Sequence, residues 1–105
     1  MEPSGECIYI PFKQFSVVNL NIFYPGSETG QLNEPQHLAV DKNGFIFVAD
    51  AGNNRIVVLD SKLEWSRDLQ IDVNSPYSLC LDEQRNQLFV GEGNSENSRV
   101  VVVKV

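Results

Sequence analysis

The chain has 105 residues, enough for one domain with a core, and 42% of them are hydrophobic, which excludes a disordered tail. Its 8 basic and 14 acidic residues give a formal charge of −6, which speaks against a nucleic-acid footprint made by this chain. The acids are scattered through turns and strand ends, as on a solvated surface, and no apolar run approaches the length of a membrane-spanning helix.

Residues Met1–Glu6 are polar and include Pro3 and Gly5, so they are expected to be loose. Cys7–Phe12 and Phe15–Phe23 read as strands, broken at Pro11 and Lys13-Gln14. The stretch Tyr24–Gln31 is rich in Gly, Pro and Ser and reads as a loop. From Leu32 to Asp60 come three short apolar runs, His37–Val40, Phe45–Ala49 and Ile56–Leu59, with the β-branched and aromatic content of strands. Asp-Lys-Asn-Gly (Asp41–Gly44) and Asp-Ala-Gly-Asn-Asn (Asp50–Asn54) separate them as turns. Three such strands in series make a meander, with Leu63–Leu69 as its fourth strand. Ser78–Leu81, Gln87–Val90 and Arg99–Val103 then read as three more.

The second set is a copy of the first. Pro-Gln-His-Leu-Ala-Val-Asp from Pro35 aligns with Pro-Tyr-Ser-Leu-Cys-Leu-Asp from Pro76, 41 residues later. Ile46–Asp50 then aligns with Leu88–Glu92, and Arg55–Leu59 with Arg99–Val103. The inserted residues all fall in turns, whose exposed tips tolerate length changes while packing holds the strand registers. A period of roughly 40–45 residues with several short strands per unit is the signature of a propeller blade.

Residues 32–60 resemble the NHL repeat: a proline, a strand ending in Asp, a Gly-containing turn, a strand ending Val-Ala-Asp, and an Asn-Arg-Ile strand. Residues 74–105 match the same pattern less closely, with Gly91-Glu92 in place of Ala-Asp. The resemblance implies an all-β chain of about two four-stranded antiparallel blades of an NHL-type β-propeller. Residues 32–73 would be blade 1 and residues 74–105 blade 2, which lacks its outer strand. Residues 7–31 would supply outer strands of a preceding or closing blade plus a linker, so that terminal strands complete a blade. The remaining blades are expected from a longer chain or from a trimer of identical chains.

Cys7 and Cys80 are the only cysteines and are expected to be reduced. Cys80 stands where blade 1 has Ala39, as a small core residue. No charged-then-apolar leader and no Asn-x-Ser/Thr sequon is present, so a cytoplasmic protein is expected.

Asp41 and Asp82 end the inner strands, and their turn role explains both without acid–base chemistry. Asp50 and Arg55, matched by Glu92 and Arg99, read as a clamp across the turn between middle and third strands. Gly91-Glu92-Gly93-Asn94 has neither the following helix nor the third glycine of a phosphate-binding loop. Trp65 is expected to cover a blade edge.

His37 is the only histidine and opens an inner strand, where propeller enzymes keep metals. The peptide-amidating lyase, also built on NHL-like blades, is similar here but carries Pro-His-Ser-Leu. This chain has Tyr77 in place of that histidine, and His37 lies one position later than the pattern requires. A hydrogen-bonded histidine is the expectation, with no metal, no cofactor and no catalytic residue.

The sequence resembles the C-terminal propellers of tripartite-motif proteins, ubiquitin ligases whose propeller selects a protein or RNA target. This implies a non-catalytic, protein-binding recognition module, without the RING cysteines that ligase catalysis requires. The loops Asp41–Gly44, Ala51–Arg55, Glu83–Gln87 and Gly93–Arg99 would present it at one end of the propeller. Candidate binding residues are Lys42, Asn43, Asn53, Asn54, Arg55, Arg85, Asn94 and Arg99. A metal-dependent propeller enzyme of the lyase or lactonase kind is the alternative. An RNA-binding segment is a further one, disfavoured by the net charge.

Overall fold

The computed structural model describes residues 10–11, 24–25, 31–62, 64–69, 71–94 and 96–105. Among them the architecture is all-β, with strands β1 (Ile10–Pro11), β2 (Tyr24–Pro25), β3 (Gln31–Leu32), β4 (Pro35–Val40), β5 (Ile46–Asp50), β6 (Arg55–Leu59), β7 (Trp65–Asp68), β8 (Pro76–Asp82), β9 (Gln87–Gly93) and β10 (Ser98–Lys104). No described helix is long and apolar enough to cross a membrane.

The strands β4, β5, β6 and β7 form the expected four-stranded antiparallel blade, and β8, β9 and β10 form a second sheet of three. Register follows the repeat: Ala39 faces Phe47 in blade 1, and Cys80 faces Phe89 in blade 2. The inner strands begin at Pro35 and Pro76, two residues before the apolar runs. There the register shifts, and each proline sits opposite the acid that ends its middle strand, Asp50 or Glu92.

Two expectations for the N-terminal part change. The residues Ile10–Pro11 pair antiparallel with Leu38 and His37 of β4, so they sit at the inner edge of blade 1 and not at a rim. Backbone groups on that inner edge need partners, and a passing strand supplies them. The loop from Tyr24 to Gln31 is closed by a short parallel pairing of Tyr24 with Gln31 and of Pro25 with Leu32. The expected strand Phe15–Phe23 lies outside the described residues.

Packing explains the unbroken apolar runs of β5 and β6. Their alternate side chains point to opposite faces, and both faces are buried. Phe47, Ala49, Ile56 and Val58 face blade 2 and meet Leu79, Leu88, Val90 and Val103, with Leu69 and Val73 closing the cluster from the link between blades. On the other face Leu38, Ile46, Val48, Val57 and Leu59 form a second cluster with Leu32 and Trp65. Each such aliphatic side chain withdrawn from water contributes about 1.5–3 kcal/mol.

By the repeat, the residues of the second cluster are the counterparts of the blade 2 residues that cover blade 1, and Val48 and Val57 at its centre are 0% exposed.

A further correction concerns the cysteines. Cys80 is disulfide-bonded, not a reduced thiol; the sequence's other cysteine, Cys7, lies outside the described residues. Disulfides persist in oxidising compartments, so the part of the cytoplasmic expectation that rested on reduced thiols is withdrawn.

Candidate functional site

Successive hairpins of a meander turn at alternate ends of the sheet, and this divides the eight candidate residues. The turns at 41–44, 60–64 and 83–86 share one end. The Lys42 N–H donates to Glu83 Oε2 at 3.2 Å, and the Val105 N–H to the Asn86 carbonyl at 2.9 Å. The turns at 51–54 and 94–97 and the links before β4 and β8 share the other, where the Ser75 N–H donates to Asn54 Oδ1 at 2.8 Å. The expectation that all four loops form one binding end is thus overturned by the pleated connectivity itself.

At the second end the sequence has built clamps. Asp50, fully buried, accepts from the Asn33 N–H at 2.7 Å through Oδ1. Its Oδ2 accepts from Asn53 Nδ2 at 2.9 Å and from Arg55 Nε at 2.8 Å. The Arg55 guanidinium also donates to the Gln31 carbonyl at 2.6 Å, reaches Asp68 Oδ2 at 3.4 Å, and lies 5.1 Å from the centre of the Trp65 ring. Blade 2 repeats the core of this arrangement: Glu92 accepts from the Asn74 N–H at 2.9 Å and from Arg99 Nε. The carboxyl of Glu92 is held below its ordinary range by the Arg99 and Asn74 hydrogen bonds.

Asn33 and Asn74 were not singled out from the sequence, though both stand two residues before the repeat's proline. Each also accepts, from the Gly52 N–H at 2.7 Å and the Gly93 N–H at 2.9 Å. The approach at Gly52 leaves no room for a side chain, since a Cβ there would lie 2.6 Å from the Asn33 carbonyl oxygen.

Five candidates are therefore placed at this end and largely occupied. Asn53 and Arg55 serve Asp50. Asn54 takes the left-handed conformation that Asn tolerates, at φ 53°, and holds the link to blade 2. Asn94 Oδ1 accepts from the Glu96 and Asn97 N–H groups at 2.8 and 2.9 Å. Arg99 binds Glu92 with its side chain 64% exposed.

Lys42, Asn43 and Arg85 lie at the first end. Asp41 builds the turn by accepting the Asn43 and Phe45 N–H groups at 2.8 and 2.9 Å, and Gly44 supplies φ +87°. Asp60 repeats the device with Lys62 and Glu64, both at 2.9 Å. Arg85 pairs with Asp82 at 2.9 Å.

Between the two turns opens a cleft of about 370 Å³. Phe47, Val58, Leu81 and Val105 make its apolar floor, while Lys42, Asn43, Arg67 and Glu83 stand at its rim. No described residue forms a hydrogen bond or ion pair with the Lys42 or Arg67 side chain. Arg67 was missed because a charged residue on an outer strand resembles any solvated position. Only its pairing opposite Val58 brings it to the cleft.

His37 is 2% exposed, and its Nδ1 accepts the Leu79 N–H at 2.6 Å, joining the two inner strands. Among the described residues no group of three or more His, Cys, Asp or Glu is arranged to hold a metal ion. Burial lowers the His37 pKa below its usual value. The folded protein thus binds fewer protons at His37 than the unfolded chain, and its contribution is complete above about pH 6.5 and lost as pH falls through the lowered folded value. The melting temperature is expected to drop between pH 7.5 and 5.5, and to drop measurably less in His37→Gln, which keeps an acceptor but cannot titrate. Equal slopes in calorimetric scans of the two proteins would disprove this role.

Comparison with curated proteins returned no match. The family model of the NHL repeat matches residues 32–59, which run from β3 through the end of β6, so this part of blade 1 is similar to an NHL repeat.

Proposed function

We propose that the chain is a non-catalytic, protein-binding propeller segment whose recognition site is the cleft between the Asp41–Gly44 and Glu83–Asn86 turns. The observation that carries this reading is an apolar floor bounded by two cationic side chains, Lys42 and Arg67, that no described residue engages. Apolar anchoring with a few polar groups to fix orientation is how such sites hold a peptide side chain.

The sequence resemblance to tripartite-motif propellers supports a substrate-recognition role within a ubiquitin ligase. The disulfide at Cys80 weighs against a ligase in the cytoplasm. The interaction reading itself does not depend on compartment.

The test compares proteins bound by the wild-type chain with those bound by the double variant Lys42→Glu/Arg67→Glu and by Asn94→Ala, which changes the opposite end. Partners lost only from the cleft variant, with its melting curve unchanged, are the expected result. A bound set insensitive to the cleft variant would refute the assignment.

A further inference from the structure

We propose that the cleft between the Asp41–Gly44 and Glu83–Asn86 turns takes an acidic peptide segment, one large apolar side chain flanked on both sides by Asp or Glu. This rests on the reading of the cleft as a protein-binding site and adds the chemistry of its partner.

The order of groups with depth selects that chemistry. Phe47 pairs with Val58, and Val58 with Arg67, in one row across β5, β6 and β7. Residues directly opposite each other share a sheet face, so Arg67 stands on the face that bears the floor. Phe47 and Val58 are 4% and 2% exposed and belong to the cluster that packs the blades together. Lys42 and Arg67 are exposed, and Phe45, 37% exposed, lies with them nearer to solvent. A volume of about 370 Å³ is at the small end for ligand pockets and suits a single side chain. A residue with its charge at the tip, such as phosphotyrosine, would carry that charge down to an apolar floor. A phenylalanine or leucine with acids beside it puts each group at its matching depth.

The sign of the rim follows from which charges are already engaged. Asp41, Lys42, Arg67 and Glu83 all line the cleft, and formally they cancel. The acids, however, face backbone donors. Asp41 Oδ1 accepts the Asn43 and Phe45 N–H groups at 2.8 and 2.9 Å, and Glu83 Oε2 accepts the Lys42 N–H at 3.2 Å. No described residue pairs with the Lys42 or Arg67 side chain. The two cations are therefore the charges left for a partner. The chain's formal charge of −6 comes largely from acids elsewhere, and exposed charges beyond about 8 Å are largely screened at physiological salt.

The probe is the fluorescein-labelled peptide Gly-Asp-Glu-Phe-Asp-Glu-Gly, titrated onto the full chain and read by anisotropy. Saturable binding is expected. The same peptide with Asn and Gln for its acids is expected to bind about threefold to tenfold more weakly, and one with glycine for its phenylalanine is expected not to saturate. Lys42→Glu/Arg67→Glu is expected to lose the acidic peptide and to bind Gly-Lys-Lys-Phe-Lys-Lys-Gly in its place, a gain that unfolding cannot produce. No saturation by the acidic peptide, or wild-type affinity for the neutral, basic or a phosphotyrosine peptide at least as high, would overturn the acidic partner. The cleft reading fails separately: whichever peptide binds, its affinity would then be the same for the wild type and the double variant.

Discussion

Asp50→Ala is expected to destabilise the chain by about 3–5 kcal/mol, the cost of removing one partner from a buried ion pair. The carboxylate is fully buried and answers three donors at 2.7–2.9 Å from Asn33, Asn53 and Arg55. Its removal leaves the Arg55 guanidinium, only 15% exposed, without its main counter-charge. It also leaves the Asn33 N–H unpaired at the turn that starts β4. Denaturant unfolding followed by circular dichroism measures the loss. The double variant Asp50→Leu/Arg55→Met tests the cause, because it deletes both charges and keeps volume, and it is expected to recover a large share of the stability. If the double variant is no better than Asp50→Ala, the stranded charge is not the reason. Glu92→Gln in blade 2 is expected to cost less, since Arg99 remains in water.

Leu88→Ala is expected to cost about 2–5 kcal/mol, the range for a truncated aliphatic side chain in a core that collapses only partly. Leu88 is 0% exposed and lies between the blades, where Phe47, Ile56, Leu79, Val90 and Val103 share its cluster. At about 4–8 °C per kcal/mol for a domain near this size, the melting point should fall by about 8 °C or more. Val100→Ala, a similar loss of apolar atoms at a side chain 65% exposed, should stay within about 0.5 kcal/mol. Equal effects at the two sites would mean that the blades do not pack on each other as described.

The Asp50–Arg55 pair shows how a local rule reads well from sequence. Both residues flank one tight turn, and their counterparts Glu92 and Arg99 flank another of different length, so the pairing is set by short-range geometry. The Asp41 turn is legible for the same reason, because Asp and Gly have specific backbone preferences there. The same repeat that revealed the clamps hid their depth: Arg55 is enclosed by Asp68 and Trp65, and Arg99 is not. Nothing near either arginine in the chain distinguishes them.

The binding candidates illustrate the other side. Residue type marks the turns, but hairpins alternate between ends, so Lys42 and Asn43 are carried to the cleft while Asn53, Asn54, Arg55, Asn94 and Arg99 are carried away from it. Arg67 joins the cleft only through its cross-strand position opposite Val58. The pairing of Ile10–Pro11 with β4 is equally invisible along the chain, since any open edge would accept two extended residues.

The sequence by itself determined the all-β class, the blade repeat, the strand order within each blade and the acid–base pairing across each turn. These depend on alternation, turn chemistry and contacts between residues close in the chain. The tertiary structure alone decided the disulfide at Cys80, the burial of His37 against Leu79, and the convergence of Lys42 and Arg67 on one cleft. Each depends on which faces and ends meet in space, and the free energy of burial and charge that selects those meetings is summed over residues far apart in the chain.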